Sequence, residues 1–247
     1  MTFSGQTGSG QLGGTAGDGR VIFITGASMG IGAALARQAA QAGYRVVLTA
    51  RSLDKLEELA AELGPENALP LKVDVTRWEE LERAVAATLE RFGRLDVAFA
   101  NAGFTAGAGR YASGDPTPDE WQGMILTNVL GAALTARATL PEIIRARGHF
   151  FLVGSVAGRV ANLGPSSATK WAVEGMGDSI RKEVSGQGVR VTLIEPGRVD
   201  TDFWRNGKPD ASFLQGDDVA RAVMYVLAQP EHVAINELLI RPTTQEV

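Results

Sequence analysis

The run Thr25-Gly26-Ala27-Ser28-Met29-Gly30-Ile31-Gly32 constrains this chain more than any other stretch. It joins a short β-rich segment, Val21 to Thr25, to an Ala-rich segment with helical character, Gly30 to Ala42. A strand that becomes a helix across three glycines presents backbone N–H groups at a helix N-terminus, where phosphate binds favourably. Gly26 permits the tight turn, Gly30 lets backbone approach a pyrophosphate, and Gly32 lets the helix pack closely on the strand. The expectation is a dinucleotide-binding α/β domain with Ser28, Met29 and Ile31 in the cofactor loop. Glycine triplets alone mark many ordinary turns, and the placement between strand and helix carries the weight. No Gly-Lys-Ser/Thr follows, which disfavours a phosphate-loop NTPase.

Beyond the turn, strand-like and helix-like segments alternate without a break in composition. Further strands are predicted at Arg45 to Thr49, Ala68 to Val73, Leu95 to Ala100, Phe150 to Val153, Val189 to Ile194 and Ile235 to Ile240. Ser52 is placed to cap a helix with Leu53, Leu56, Leu59 and Leu63 on one face, and Gly43 closes the first helix. Other helices are expected at about 77–92, 119–147, 166–185 and 217–228, with a Gly/Ser/Pro-rich loop over 103–118. The apolar share is 45% and the aromatic share 6%, the Ala/Val/Leu/Ile bias that parallel strands buried on both faces require. The alternation predicts a single-domain Rossmann fold over 20–247, a doubly wound parallel sheet of seven strands. Residues 1–19, rich in Gly, Ser, Thr and Gln, are expected to be a flexible tail.

Several function classes are disfavoured. The net charge is −4 and no Lys/Arg-rich run occurs, so neither nucleic acid nor an anionic membrane is an expected partner. There is no cysteine, which removes disulfides, thiolate metal sites and cysteine nucleophiles. His149 and His232 are far apart without an acidic cluster around them, and no metal is expected. No stretch reads as approaching the apolar length of a membrane span, and the N-terminus lacks the pattern of a signal peptide. A cytoplasmic protein is the expectation.

The end of the second strand bears on the dinucleotide type. A carboxylate there would bind the ribose 2′-hydroxyl of NAD and repel a 2′-phosphate. That place holds Ala50 and then Arg51, whose guanidinium can make charge-assisted bonds to a phosphate, so NADP(H) is favoured over NAD(H).

Further motifs fall in order: Asp74-Val75 after the third strand, Asn101-Ala102-Gly103 after the fourth and Asn128 in the long helix. Ser155 follows the fifth strand, Ser-Ala-Thr-Lys occupies 167–170, and Pro196-Gly197 follows the sixth. Each is unspecific alone, but the ordered set resembles the short-chain dehydrogenase/reductase family over nearly all of residues 20–241. The resemblance implies a strand order 3-2-1-4-5-6-7 and an NADP(H)-dependent oxidoreductase moving hydride between nicotinamide and a small alcohol or carbonyl substrate. It implies that Asp74 and Val75 contact adenine, and that Asn101, Ala102 and Gly103 line the cofactor floor. Pro196, Gly197, Val199 and Thr201 would hold the carboxamide end. Ser155 would bond the substrate oxygen, Asn128 would support a water relay, and Lys170 would bind the nicotinamide ribose. Family members commonly pair their long helices, so a homodimer or homotetramer is implied.

One departure affects the chemistry. The family uses a tyrosine four residues before the lysine, stacked with it on one helix face, so that the ammonium lowers the phenol pKa. Here that position is Ser166. The separation of Ser155 and Lys170 is 15 positions, two fewer than is usual in the family. Two residues inserted between Ser166 and Ser167, the second a tyrosine, would restore both patterns. Three explanations stay open: an artefact or engineered change in the sequence, a natural loss leaving a dinucleotide-binding sensor or inactive subunit, or Ser166 as a weak substitute. An aliphatic hydroxyl could orient a carbonyl but would hardly supply its proton near neutral pH. On the substrate side, Phe203, Trp204 and Phe213 are candidates for an apolar wall, with Arg205 and Lys208 available to an anionic group; packing within the lid explains the aromatics equally well.

Overall fold

A computed structural model of the chain describes residues 17–106, 111–112, 116–160, 164–201 and 212–245. The first half runs β1 (Val21–Thr25), α1 (Gly30–Gln41), β2 (Arg45–Ala50), α2 (Leu53–Leu63), β3 (Ala68–Lys72), α3 (Trp78–Phe92) and β4 (Val97–Ala100). The second half runs α4 (Pro118–Ile125), α5 (Ala132–Ala146), β5 (His149–Val153), α6 (Pro165–Glu183), β6 (Arg190–Pro196), α7 (Gly216–Leu227) and β7 (Glu237–Ile240). The strands form one seven-stranded parallel sheet in the order β3-β2-β1-β4-β5-β6-β7, as the resemblance implied.

Period-two alternation within fully buried strands divides the core between the two faces. Ile22, Ile24, Val46 and Leu48 pack with Leu35 of α1, Leu56 of α2 and Val223 of α7. Val21, Phe23 and Val47 join Leu81 of α3, Ile143 of α5 and Ile180 of α6 on the other face. Each such side chain contributes about 1.5–3 kcal/mol on full burial. Pro70 lies in β3, and β3 is an edge strand, where a missing backbone donor is tolerated.

Four sequence expectations change. Gly17 and Gly19 donate to the Ala42 and Gly43 carbonyls at 2.8 and 3.1 Å, so the body begins earlier than residue 20, and residues 1–16 of the expected tail lie outside the described residues. Ser52 occupies the N-cap of α2, but its side chain makes no capping bond. The long helix is continuous from Pro118 to Ala146, yet Leu126–Gly131 between α4 and α5 is one π-helical turn. By length and composition alone this 29-residue run could cross a membrane, contrary to the sequence reading. Its apolar character has a structural use, because α5 packs on the sheet through Ala136, Leu140 and Ile143. The start of this run is fixed by a capping box in which Thr117 N–H donates to Glu120 at 2.8 Å and Glu120 N–H to Thr117 Oγ1 at 3.4 Å.

Candidate active site

The sheet changes winding direction between β1 and β4, and the crevice beyond the carboxyl ends of strands at such a point is the usual ligand site of an open α/β sheet. Thr25 ends β1, and its Oγ1 accepts from the N–H groups of Asn101 and Ala102 at 3.0 and 3.1 Å. The Asn101 amide donates to the Thr25 and Gly26 carbonyls at 2.9 and 3.3 Å. The Asn101 side chain therefore stitches the ends of β1 and β4 together.

Gly26 and Gly30 have φ of +68° and +56°, a conformation side-chain-bearing residues avoid. A Cβ on Gly32 would fall 2.3 Å from the Gly26 carbonyl oxygen, which accounts for the third glycine. A Cβ on Gly30 would lie 2.8 Å from Thr201 Cγ2, so the segment after β6 comes down on the turn. Met29 is the N-cap of α1 and makes no capping side-chain bond, leaving the first-turn amides without a side-chain cap. Glycines clearing the approach and an uncapped helix N-terminus fit the pyrophosphate of a dinucleotide.

Around the turn, Arg51 is exposed at the end of β2 and pairs with no acid among the described residues. Ser28 faces a cleft of about 230 Å³ shared with Lys55, Arg37 and Glu62. Arg37 is bound to Glu62 at 2.7 and 2.8 Å, whereas Lys55 adds a cation that sequence reasoning missed. The Asp74 carboxylate accepts from Thr76 N–H and Oγ1 at 2.9 and 2.8 Å, and Val75 is buried under Gly131 of the π turn. Gly197 N–H donates to the Ile240 carbonyl at 2.7 Å, and Val199 pairs with Leu214. Pro196, Gly197 and Thr201 are thereby carried from the end of β6 towards the glycine turn.

The π turn brings Asn128 inward, where it is 3% exposed. Its Oδ1 accepts from Phe104 N–H at 3.0 Å, and its Nδ2 donates to the Phe104 carbonyl at 3.0 Å and Thr169 Oγ1 at 3.2 Å. Thr169 Oγ1 in turn donates to the Ser166 carbonyl at 2.7 Å, and Thr105 Oγ1 donates to Ser166 Oγ at 3.3 Å. Asn128 thus clamps the segment after Gly103 against the first turn of α6. Thr105 and Thr169 were not legible as site residues, because nothing in the sequence marks a partner 61 or 41 positions away.

Ser155 Oγ donates to the Pro196 carbonyl at 3.3 Å and accepts from Ala157 N–H at 3.1 Å. Lys170 Nζ donates to the carbonyl of Val153, the last residue of β5, at 3.1 Å. Burial pushes the Lys170 ammonium down to about 8, partly offset by the charge of Glu174 one turn further along α6. Ser166 and Lys170, four apart, share a face of α6.

Behind Lys170 lies an ionic cluster absent from the sequence reading. Arg159 is bound to Glu195 on β6, with one contact at 2.9 Å, is also paired with Glu237 on β7, and comes within 4.0 Å of Glu174. Three carboxyl groups share this guanidinium, and Glu174 Oε1 is buried with no hydrogen-bond partner among the described residues. Burial first, and then the nearby Glu195, push the Glu174 carboxyl up to about 7. The four-residue spacing of Lys170 and Glu174 was the available signal. Of the expected substrate wall, Phe213 is half-buried, and Phe203, Trp204, Arg205 and Lys208 lie outside the described residues.

The family model for short chain dehydrogenase matches residues 20–212. An uncharacterized oxidoreductase of Staphylococcus aureus is 36% identical over 227 residues, 90% of this chain and 97% of that protein. An alcohol dehydrogenase from the archaeon Thermococcus sibiricus, complexed with 5-hydroxy-NADP, superposes with a TM-score of 0.85 at 36% identity, covering 92% and 98% of the two chains. The closed form of a serine dehydrogenase complexed with NADP+ gives 0.83 at 31% identity, covering 92% and 96%. A 3-ketoacyl-(acyl-carrier-protein) reductase from Brucella melitensis, complexed with NADH, gives 0.82 at 27%, covering 90% and 97%.

Proposed function

The chain belongs to the short-chain dehydrogenase family, and on that premise we propose that it is an NADP(H)-dependent oxidoreductase interconverting a small alcohol and its carbonyl compound. The observation that carries this reading is the uncapped glycine turn set at the same sheet margin as Ser155 and Lys170. Bound there, the nicotinamide would supply the hydride chemistry. Gly26, Gly30 and the first-turn amides of α1 would hold the pyrophosphate, with Ser28, Met29 and Ile31 around it. Arg51 favours a 2′-phosphate, and the alcohol and serine dehydrogenases with NADP-type ligands support that choice and a small substrate. Asp74, Val75 and Ala102 would border the adenine and the cofactor floor.

Fluorescence titration with NADPH and NADH tests the cofactor assignment. NADPH should bind at least about 10-fold more tightly, and Arg51→Ala should remove most of the difference, since a charged hydrogen bond contributes about 1.5–3 kcal/mol. Equal affinities in the wild type would refute it. Ser166 in the tyrosine's place favours a second reading, a dinucleotide-binding protein without reductase activity; tight NADPH binding with no reduction across keto acids, aldehydes and ketones would establish that alternative.

Self-association along the long helix belongs to the same proposal. Ile125, Leu126 and Leu130 of that run and Trp171 of α6 are exposed apolar side chains, which support a homo-oligomer. Light scattering should give a multiple of 26.1 kDa.

A further inference from the structure

Resting on the oxidoreductase reading, the identity of the proton donor can be taken further. An alcohol–carbonyl interconversion needs a group that gives the substrate oxygen a proton as its carbon gains hydride. The chain has three tyrosines. Tyr44 is buried just before β2, at the opposite end of the sheet, Tyr225 is exposed on α7, and Tyr111 is 68% exposed to solvent with its ring edge-on to Trp121. His149 starts β5, again at the far end, with its Nε2 against Thr192 Oγ1 at 2.7 Å, and His232 follows α7. Ser155, Ser166 and Thr105 bring hydroxyl groups to the site, all far weaker acids than a phenol, and the Glu174 carboxyl, one turn beyond Lys170, is packed against Gly154 and Gly158 within 4.0 Å of Arg159.

We propose that Lys170 is itself the proton donor in this chain, with the hydroxyls of Ser155 and Ser166 orienting the substrate oxygen. An ammonium has three N–H bonds, and the one given to Val153 leaves two, one for the ribose and one for the substrate oxygen. Ser166 precedes Lys170 by one helical turn and carries a much smaller side chain than tyrosine, so the lysine side of the oxygen is not screened by a ring. Thr105 fixes the Ser166 hydroxyl. In the step, the carbonyl carbon would take the hydride that NADPH gives up on becoming NADP+, and the π pair would move onto oxygen. The oxygen bonds to a proton from Nζ, the N–H pair remains on nitrogen as a neutral amine, and a proton from solvent restores the ammonium. Burial, which brings the ammonium down to about 8, makes it a stronger acid than an ordinary phenol while leaving it mostly protonated at pH 7.

The test uses the full chain, with 2,3-butanedione as the carbonyl probe and NADPH. Wild-type reduction should fall above about pH 8, because only the ammonium can donate. Lys170→Arg keeps a cation for the ribose and should bind NADPH within roughly fivefold of wild type, while reduction drops roughly 100- to 10,000-fold and the limb near pH 8 disappears. Acetylation of the free protein, followed by mass spectrometry across pH, should give a midpoint near 8 for Lys170. Reduction retained in Lys170→Arg, a limb that persists in it, or a midpoint near 10 would overturn the assignment while leaving the oxidoreductase reading intact. Wild-type NADPH binding without reduction would overturn both the assignment and the catalytic reading, and absence of NADPH binding would remove the cofactor reading as well.

Discussion

Replacing Glu174 by glutamine should make the protein more stable, and increasingly so as pH rises. The carboxyl lies over Gly154 and Gly158, where an added Cβ would come within 2.4 and 2.7 Å of Oε1, and it faces Lys170, Arg159, Glu195 and Glu237. An unfolded chain releases this proton near 4.5, but the folded protein holds it to about 7. Between those values the folded state binds more protons, so this group's contribution to stability falls as pH rises and levels off above about 7. At about 1.4 kcal/mol per pKa unit the total is about 3 kcal/mol, of which about 2 kcal/mol develops between pH 5 and 7.5. Glutamine preserves the shape and never ionises. His149, which burial keeps neutral well below its ordinary range, acts in the opposite sense, so the readout is the difference between variant and wild type. The cost of burying the Lys170 ammonium is constant below about 8 and is relieved only above it, so it adds nothing to the slope between pH 5 and 7.5. Urea unfolding of both proteins at pH 5 and 7.5 should show the variant's advantage growing by about 2 kcal/mol, or roughly 4–8 °C in Tm. An advantage that does not change with pH would show that Glu174 is already ionised at neutral pH.

Other perturbations probe the rest of the site. Asn128→Ala removes its hydrogen bonds to Phe104 and Thr169 and should cost about 0.5–1.5 kcal/mol per bond, read by chemical denaturation. Gly30→Ala places a side chain at φ +56° and against Thr201, so stability should fall by roughly 1–2 kcal/mol and NADPH affinity with it, measured by thermal unfolding and fluorescence. Inserting alanine and then tyrosine between Ser166 and Ser167 restores the Tyr-x-x-x-Lys spacing and should raise the rate of carbonyl reduction at least about 100-fold in steady-state assays.

The fold was legible because its signals are local and repeated. Alternating apolar runs marked every strand to within about two residues, and Gly43, Gly30 and Gly26 carry the positive φ their positions called for. The order of the strands was readable only through the family resemblance, since register between β1 and β4 depends on residues more than 70 positions apart. What escaped was the geometry made by distant groups. Asn128 was singled out, but not the π turn that points it at Phe104, because one extra residue in a helical turn leaves no compositional trace. Ser166 was recognised as the departure, while its bond to Thr105 depends on where a glycine-rich loop returns. The Arg159 cluster gathers charges from three elements and a connecting turn, each unremarkable in its own segment.

The proline in β3 gives the sheet two unlike margins. On the β3 side, Pro70 has no N–H to offer, so a foreign strand seeking to extend the hydrogen-bond ladder meets a missing rung there. On the other side, β7 reads Glu-Leu-Leu-Ile without proline, and Leu239 is exposed. Lateral growth of this sheet, whether in assembly or in aggregation, is therefore directional: it is obstructed at the β3 margin, and only Glu237 places a charge on the β7 strand.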